Sequence, residues 1–96
     1  MQLKRIKKIL IGHKKHLSRL GVRTLALFGS VVRNEATSKS DVDILVDVDS
    51  KRDLFAFVEI KSYLEGLLDC EVDLVTKSAL HPALKGRILR EAKYVF

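Results

Sequence analysis

The sequence predicts an α/β sandwich: a small mixed sheet of at least three strands, with helices packed mainly against one of its faces. Three short apolar stretches lie between segments with helical periodicity, and this alternation predicts such a sheet. In the middle stretch, Asp41–Val48, apolar and acidic side chains alternate. Because residues i and i+2 of a strand point the same way, Asp41, Asp43 and Asp47 share one face. That face is predicted to be acidic and open, and the opposite face is predicted to form the core.

The first segment, from about Met1 to Leu20, is predicted to be a helix, because its apolar residues recur every three or four positions. Gly21 suits the left-handed position just past the helix end. His13 falls within the apolar stripe and is interpreted as a packing residue. The stripe consists of Leu3, Ile6, Leu10, His13, Leu17 and Leu20.

An apolar run at Thr24–Phe28 is predicted to be the first strand, and Gly29 and Ser30 follow it directly. Glycine has no Cβ and lets the backbone approach a phosphate closely. The Ser30 amide is predicted to open a short helix through Val31–Asn34, and the unpaired amides of a helix start favour an anion. The turn is therefore a candidate phosphate cradle, although by itself it could be an ordinary strand-to-helix turn.

Asp41 and Asp43 are neighbouring carboxylates that repel each other, so folding alone gives no reason for the pair. A divalent cation with oxygen ligands does give one. Asp73 lies in the third predicted strand, Glu71–Thr76, and faces away from its apolar neighbours. Taken alone, Asp73 could also be a surface aspartate.

Two further helices are predicted. Ser50 and Asp53 resemble a capping box at the start of a helix from about Lys51 to Leu68. The last helix is predicted to begin near Pro82, and the final residues, 94–96, are predicted to add a short strand or an apolar edge. The predicted core-facing residues are Leu54, Phe57, Val58, Leu64, Leu67 and Leu68 in the first helix, and Leu84, Ile88 and Ala92 in the second.

The length of 96 residues predicts a single domain covering residues 1–96. No apolar stretch is long enough to span a bilayer, and the basic N-terminus lacks the features of a secretory signal. The single cysteine, Cys70, rules out an internal disulfide and fits a reducing compartment. We therefore expect a cytoplasmic protein with no membrane partner.

Charge is distributed unevenly along the chain. Residues 1–34 contain nine Lys or Arg and no Asp or Glu, whereas residues 35–96 contain nine Lys or Arg and twelve Asp or Glu. The two parts carry +9 and −3, which gives the net +6. Such asymmetry can mark a surface for nucleic acid, nucleotide phosphates or an acidic partner, or can be a solvated helix face.

The pattern of Gly29-Ser30, ten intervening residues and Asp41-x-Asp43 resembles the signature of the DNA polymerase β-like nucleotidyltransferase superfamily. The short chain around it resembles the minimal nucleotidyltransferases, which in many prokaryotes are antitoxins paired with HEPN-domain toxins. The stretches at 71–75 and 81–92 are similar to that group as well. Two positions depart from the usual pattern: Val31 stands where arginine is frequent, and Asn34 where glycine is usual.

This resemblance implies the nucleotidyltransferase fold and a metal-dependent transfer of a nucleoside monophosphate, AMP from ATP, to a hydroxyl. The expected acceptor is a tyrosine of a HEPN toxin, with the chain acting as a type VII-like antitoxin. The implied catalytic residues and ligands of two Mg²⁺ ions are Asp41, Asp43 and Asp73. The implied nucleotide-binding residues are Gly29, Ser30 and Arg33.

Arg33 has two open interpretations, a contact to substrate or an ion pair with Glu35. Three other functions also remain open. A binding antitoxin would mask a HEPN ribonuclease without catalysis, but an intact acidic triad argues against it. Transfer to a small molecule would normally require an additional acceptor domain. A nucleic-acid-binding module would use the basic first helix, but that helix lacks stacking aromatics, and nucleic acid is not expected as a partner. The sequence is compatible with a homo-oligomer or a hetero-oligomer.

Overall fold

The computed structural model describes residues 2–33, 41–49, 51 and 53–96. Short 3₁₀ turns follow the first and third strands, at Gly29–Val31 and Lys77–Ala79. The elements in chain order are α1 (Leu3–Gly12), α2 (Lys14–Arg19), β1 (Val22–Phe28), β2 (Val42–Val48), α3 (Leu54–Leu68), β3 (Val72–Thr76), α4 (Pro82–Glu91) and β4 (Lys93–Tyr94).

The four strands form one mixed sheet in the order β3-β2-β1-β4. Strand β1 pairs antiparallel with both β2 and β4, whereas β2 pairs parallel with β3. Parallel neighbours need a crossover connection, and α3 supplies it. The prediction of a small mixed sheet is confirmed. The predicted terminal strand is present at Lys93–Tyr94, and Val95 and Phe96 continue its backbone hydrogen bonds to Leu25.

The main core lies on one face of this sheet, where α1, α2 and α3 pack. The helices contribute buried aliphatic side chains to this core. Strands β1 and β2 contribute them mainly at alternate positions, because successive side chains of a strand point to opposite faces of the sheet. None of the described helices is long and apolar enough to cross a membrane. The largest buried side chains of this core are Ile6, Leu10, Leu17, Leu25, Leu27, Ile44, Val46, Ile60, Leu64 and Leu68.

Helix α4 packs on the opposite face. There Ala26, Leu45 and Leu80 are buried, and Ile88 and Leu89 of α4 pack against them. Three helices therefore lie on one face and one on the other, which agrees with the predicted arrangement. The acidic face is less open than expected, because α4 and Leu80 cover its centre.

The first predicted helix is divided in two at His13, whose backbone (φ −112°, ψ 15°) separates α1 from α2. The His13 Nδ1 atom lies 2.7 Å from the Tyr63 hydroxyl of α3, and the His16 ring stacks on the Tyr63 ring. The packing role of His13 is confirmed. Gly21 has a φ of +104°, so the predicted left-handed helix end is also confirmed.

Helix α3 begins at Leu54, not at Lys51 as predicted. Its N-cap is Asp53, whose Oδ1 accepts a hydrogen bond from the Ala56 amide at 3.1 Å. Ser50, the predicted N-cap, lies outside the described residues.

The predicted core faces of α3 and α4 were partly wrong. Leu54 and Val58 are 73% and 57% exposed, and Ile60 is buried instead. Leu84 of α4 is 50% exposed, and Leu89 packs inward. Apolar residues occupy most sides of α3, so the position of the sheet decides which of them are buried.

Candidate active site

The sheet brings Asp43 and Asp73 side by side. They are register partners on the parallel strands β2 and β3, so their side chains project from the same face. Asp41 is exposed and directly precedes β2, and its negative charge acts on Asp43. The three carboxylates predicted from sequence are thus neighbours at the end of β2 where that strand begins.

Crowding and burial alter the acidity of Asp43, whose pKa is raised to about 6. Burial is the largest cause, and the charge of Asp73 and a hydrogen bond with it come next. The charge of Asp41 raises this pKa further, while the Arg33 guanidinium lowers it. The ionised form of Asp43 is therefore costly here, and a nearby cation would stabilise it.

Gly29 lies directly against Asp43. Phe28, at the end of β1, is the register partner of Asp43, so the turn starts beside this carboxylate. Gly29 has a φ of +75°, which favours glycine, and a Cβ at this position would overlap an oxygen of the Asp43 carboxylate. The absence of a side chain at Gly29 thus allows the turn and the carboxylate to meet.

The turn after Gly29 is a single 3₁₀ turn whose carbonyl at Gly29 accepts hydrogen bonds from the amides of Val32 and Arg33 at 3.1 and 3.2 Å. The first amides of any helical turn lack partners within it and can face an anion. Val31 is buried and packs into the main core, and Ser30 is half-buried. Valine at the position where the family often has arginine therefore anchors the turn to the core.

Arg33 forms an ion pair with Glu91 in the last turn of α4. The predicted alternative partner, Glu35, lies outside the described residues. The pairing of Arg33 with Glu91 was not predicted, because 58 positions separate the two residues and no local pattern links them. The pair joins the turn after β1 to the helix that covers the carboxylate face.

The three carboxylates suit Mg²⁺, which prefers oxygen ligands. The raised pKa of Asp43 supports this fit, since a divalent cation would relieve the repulsion among the carboxylates. Within the described part of the chain, no three acidic, histidine or cysteine side chains already converge as a compact metal centre. The chemistry of the three carboxylates nevertheless fits the ion.

A cleft of about 440 Å³ lies elsewhere, at the opposite end of β2 and β3. It is lined by side chains of both charges, among them Arg23, Asp47 and Lys77, and Arg23 lies 3.6 Å from Asp49. Neither Gly29 nor the carboxylate pair borders this cleft. We place the candidate active site at the carboxylates because charge, backbone geometry and side-chain chemistry coincide there.

Comparison with known proteins identifies the family to which the chain belongs. Residues 4–95 match the family model described as nucleotidyltransferase domain. The protein adenylyltransferase MntA of Thermococcus cleftensis is 49% identical over 96 residues, which cover 99% of this chain and 97% of that protein.

Solved structures show the same fold. A minimal nucleotidyltransferase has a TM-score of 0.78 and 37% identity, covering 97% of this chain and 95% of that one. A toxin–antitoxin crystal structure with AMP-PNP has a TM-score of 0.76 and 26% identity, covering 94% and 72%. A complex of a tri-AMPylated Shewanella oneidensis HEPN toxin with its MNT antitoxin shares the fold at a TM-score of 0.60 and 23% identity, covering 88% and 69%. Because the family model matches nearly the whole of this chain, the chain belongs to the nucleotidyltransferase domain family, and it has the minimal nucleotidyltransferase fold.

Proposed function

We propose that this protein is a metal-dependent protein adenylyltransferase that transfers AMP from ATP to a hydroxyl of a partner protein. One observation carries this proposal: the Gly29 turn, suited to phosphate, lies against Asp43, which is itself beside Asp73. Nucleotidyl transfer needs these two features together. The turn holds the outer phosphates. The carboxylates act at the α-phosphorus, where the bond to the acceptor oxygen forms and the bond to pyrophosphate breaks.

The residues have separate roles in this mechanism. Gly29 and Ser30 present backbone amides and a hydroxyl to the outer phosphates, and the Arg33 guanidinium adds positive charge. Asp41, Asp43 and Asp73 would hold two Mg²⁺ ions, which would stabilise the charge that develops on the attacking and leaving oxygens. The acceptor oxygen bonds to the α-phosphorus, and the bond to pyrophosphate breaks. Asp73 accepts the proton of the acceptor hydroxyl.

The acceptor we propose is a tyrosine of a HEPN-domain toxin, so the protein acts as a type VII-like antitoxin in the cytoplasm. Two comparisons support a protein acceptor that is a toxin: the relative named protein adenylyltransferase, and the toxin–antitoxin structure with AMP-PNP.

Intact-mass analysis tests the proposal. The protein is incubated with MgATP, with and without the HEPN protein encoded beside it, and again with EDTA. We expect one or more AMP-sized additions on the HEPN protein, which require the divalent ion. The Asp41→Asn/Asp43→Asn variant should give none. The Asp47→Asn/Asp49→Asn variant, which removes two carboxylates from the other end of β2, should retain the additions.

Two results would contradict the proposal. A tight complex that forms equally well with the Asp41→Asn/Asp43→Asn variant, without any addition, would indicate an antitoxin that acts by binding alone. Addition of AMP to a small molecule such as an aminoglycoside, but not to the HEPN protein, would indicate a different acceptor class.

A further inference from the structure

Helix α1 carries positive charge only. Four of its side chains are cationic, none is acidic, and they occupy two consecutive turns. In the described part of the chain, no acidic group lies within ion-pair distance of these four side chains. We call them the α1 basic surface: Lys4, Arg5, Lys7 and Lys8.

This arrangement opposes the local rules of helix stability. Lys4 and Arg5 lie in the first turn, where no acidic residue is present and where the helix dipole disfavours cations by roughly 0.3–1 kcal/mol each. Lys4 and Lys8 are four positions apart, so their like charges also repel. Helix α3 differs, because its exposed positions include Glu59 as well as Lys61. Helix stability therefore does not account for the α1 basic surface.

The chemistry of this surface fits a chain of phosphates. Helix α1 is about 15 Å long, and a nucleic acid strand presents a phosphate roughly every 3.4 Å. Specific protein interfaces usually need apolar anchors at their centre, and on α1 the only large exposed apolar side chain is Ile11, among the described residues. Single strands are bound largely by stacking on aromatic rings, yet no Phe, Tyr or Trp precedes Phe28. A duplex backbone requires neither feature.

We propose that the α1 basic surface binds the phosphate backbone of a double-stranded nucleic acid. Helix α1 packs on the core face of the sheet, whereas Asp43 and Asp73 project from the opposite face. A duplex bound at α1 therefore leaves the carboxylates accessible, and the two activities are separable.

Fluorescence anisotropy with the full chain tests this inference. The probes are a labelled RNA duplex of about 20 bp, its DNA counterpart and one RNA strand alone, each titrated between about 50 and 200 mM salt. We expect duplex binding that weakens steeply with salt. In Lys4→Gln/Lys8→Gln, duplex affinity at low salt should fall at least about tenfold. The log–log salt slope should shrink by about 0.9 for each phosphate that the variant no longer neutralises.

The matched control is Lys85→Gln/Arg87→Gln on α4, which lowers the net charge from +6 to +4 just as the α1 variant does. It should retain wild-type affinity within about twofold. Glutamine has nearly the helix propensity of lysine, so both variants should keep the wild-type melting temperature. AMP transfer by the α1 variant should be unchanged, which separates this inference from the proposed catalytic function.

Four results would overturn the inference. Equal loss of affinity in both variants would indicate attraction by net charge alone. No duplex binding at low salt would remove the basis of the proposal, and equally tight binding of the single strand would assign a different ligand. If the α1 variant bound duplex normally but failed to bind the HEPN protein, the basic surface would be a protein interface.

Discussion

The two faces of the sheet are formed by the same strands, but they differ in what covers them. One face is covered by three helices and buries a continuous aliphatic core, from Ile6 to Leu74. Among the described residues, the other buries only Ala26, Leu45 and Leu80, and it carries Asp43 and Asp73 near the start of their strands. Each buried aliphatic side chain contributes roughly 1.5–3 kcal/mol. The covered face therefore supplies stability, which allows the other face to keep repelling carboxylates together.

Leu64→Ala should produce the largest effect on the covered face. Leu64 is fully buried, so its truncation should lower the free energy of unfolding by about 2–5 kcal/mol, measured by chemical denaturation. Leu84→Ala, an identical change at a half-exposed position of α4, should cost less than about 0.5 kcal/mol. AMP transfer per folded molecule should remain close to wild type in both. Equal destabilisation by the two changes would contradict the division between the faces.

Gly29→Ala should instead lower the rate of AMP transfer far more than it lowers the free energy of unfolding. The added methyl group overlaps the Asp43 carboxylate, so the turn and the carboxylate must separate, and the rate of AMP transfer should fall about a hundredfold. Gly66→Ala in α3 is the control, because nothing lies near its Cβ position. It should stabilise the protein by about 0.5–1 kcal/mol and leave transfer unchanged. Transfer at the wild-type rate in Gly29→Ala would show that this close approach is dispensable.

The pH dependence of stability should change in Asp43→Asn. In metal-free wild type, the folded state holds the Asp43 proton with a pKa of about 6, against 3.8 for the unfolded chain. The folded state therefore binds more protons between these values, and the free energy of unfolding falls as pH rises through this range. Chemical denaturation at several pH values in EDTA measures the free energy of unfolding. Its decline with rising pH should be smaller in Asp43→Asn than in wild type. Above pH 6, Mg²⁺ should raise the melting temperature of wild type more than that of Asp43→Asn.

Glu91→Gln should have the smallest effect. Its partner Arg33 would lose an ion pair at a partly exposed site, and such a pair contributes about 0.2–1 kcal/mol. Because Arg33 adds positive charge at the outer phosphates in the proposed mechanism, the KM for ATP should rise about two- to fivefold, with kcat nearly unchanged. Steady-state kinetics measures both constants, and Glu59→Gln on the exposed side of α3 is the control. A fall in kcat at constant KM would instead assign Glu91 a role in the chemical step.

Sequence predicted the features that depend on local spacing. Alternation along β2 indicated its two faces, and the glycine–serine turn and the two-residue spacing of Asp41 and Asp43 were enough to identify the candidate site. The features that sequence did not predict depend on distant parts of the chain. The pairing of Arg33 with Glu91 joins the turn after β1 to α4, and no local pattern encodes it.

Helical periodicity was informative about the existence of helices and less so about which side they bury. Leu54 and Val58 have helical spacing, but apolar residues occupy most sides of α3, and packing on the sheet selected Ile60, Leu64 and Leu68. The apolar stripe of the first segment likewise continues through His13, so periodicity did not reveal the break that separates α1 from α2.

The parallel pairing of β2 with β3 also has a consequence for folding kinetics. Asp43 and Asp73 are thirty positions apart, so pairing their strands closes a long loop that contains α3. Such non-local pairing is slow to form, and here it must also bring two negative charges together. If the strands are already paired in the transition state, Mg²⁺ will accelerate refolding; if they pair afterwards, it will instead slow unfolding. The carboxylate pair therefore reports when the two strands join.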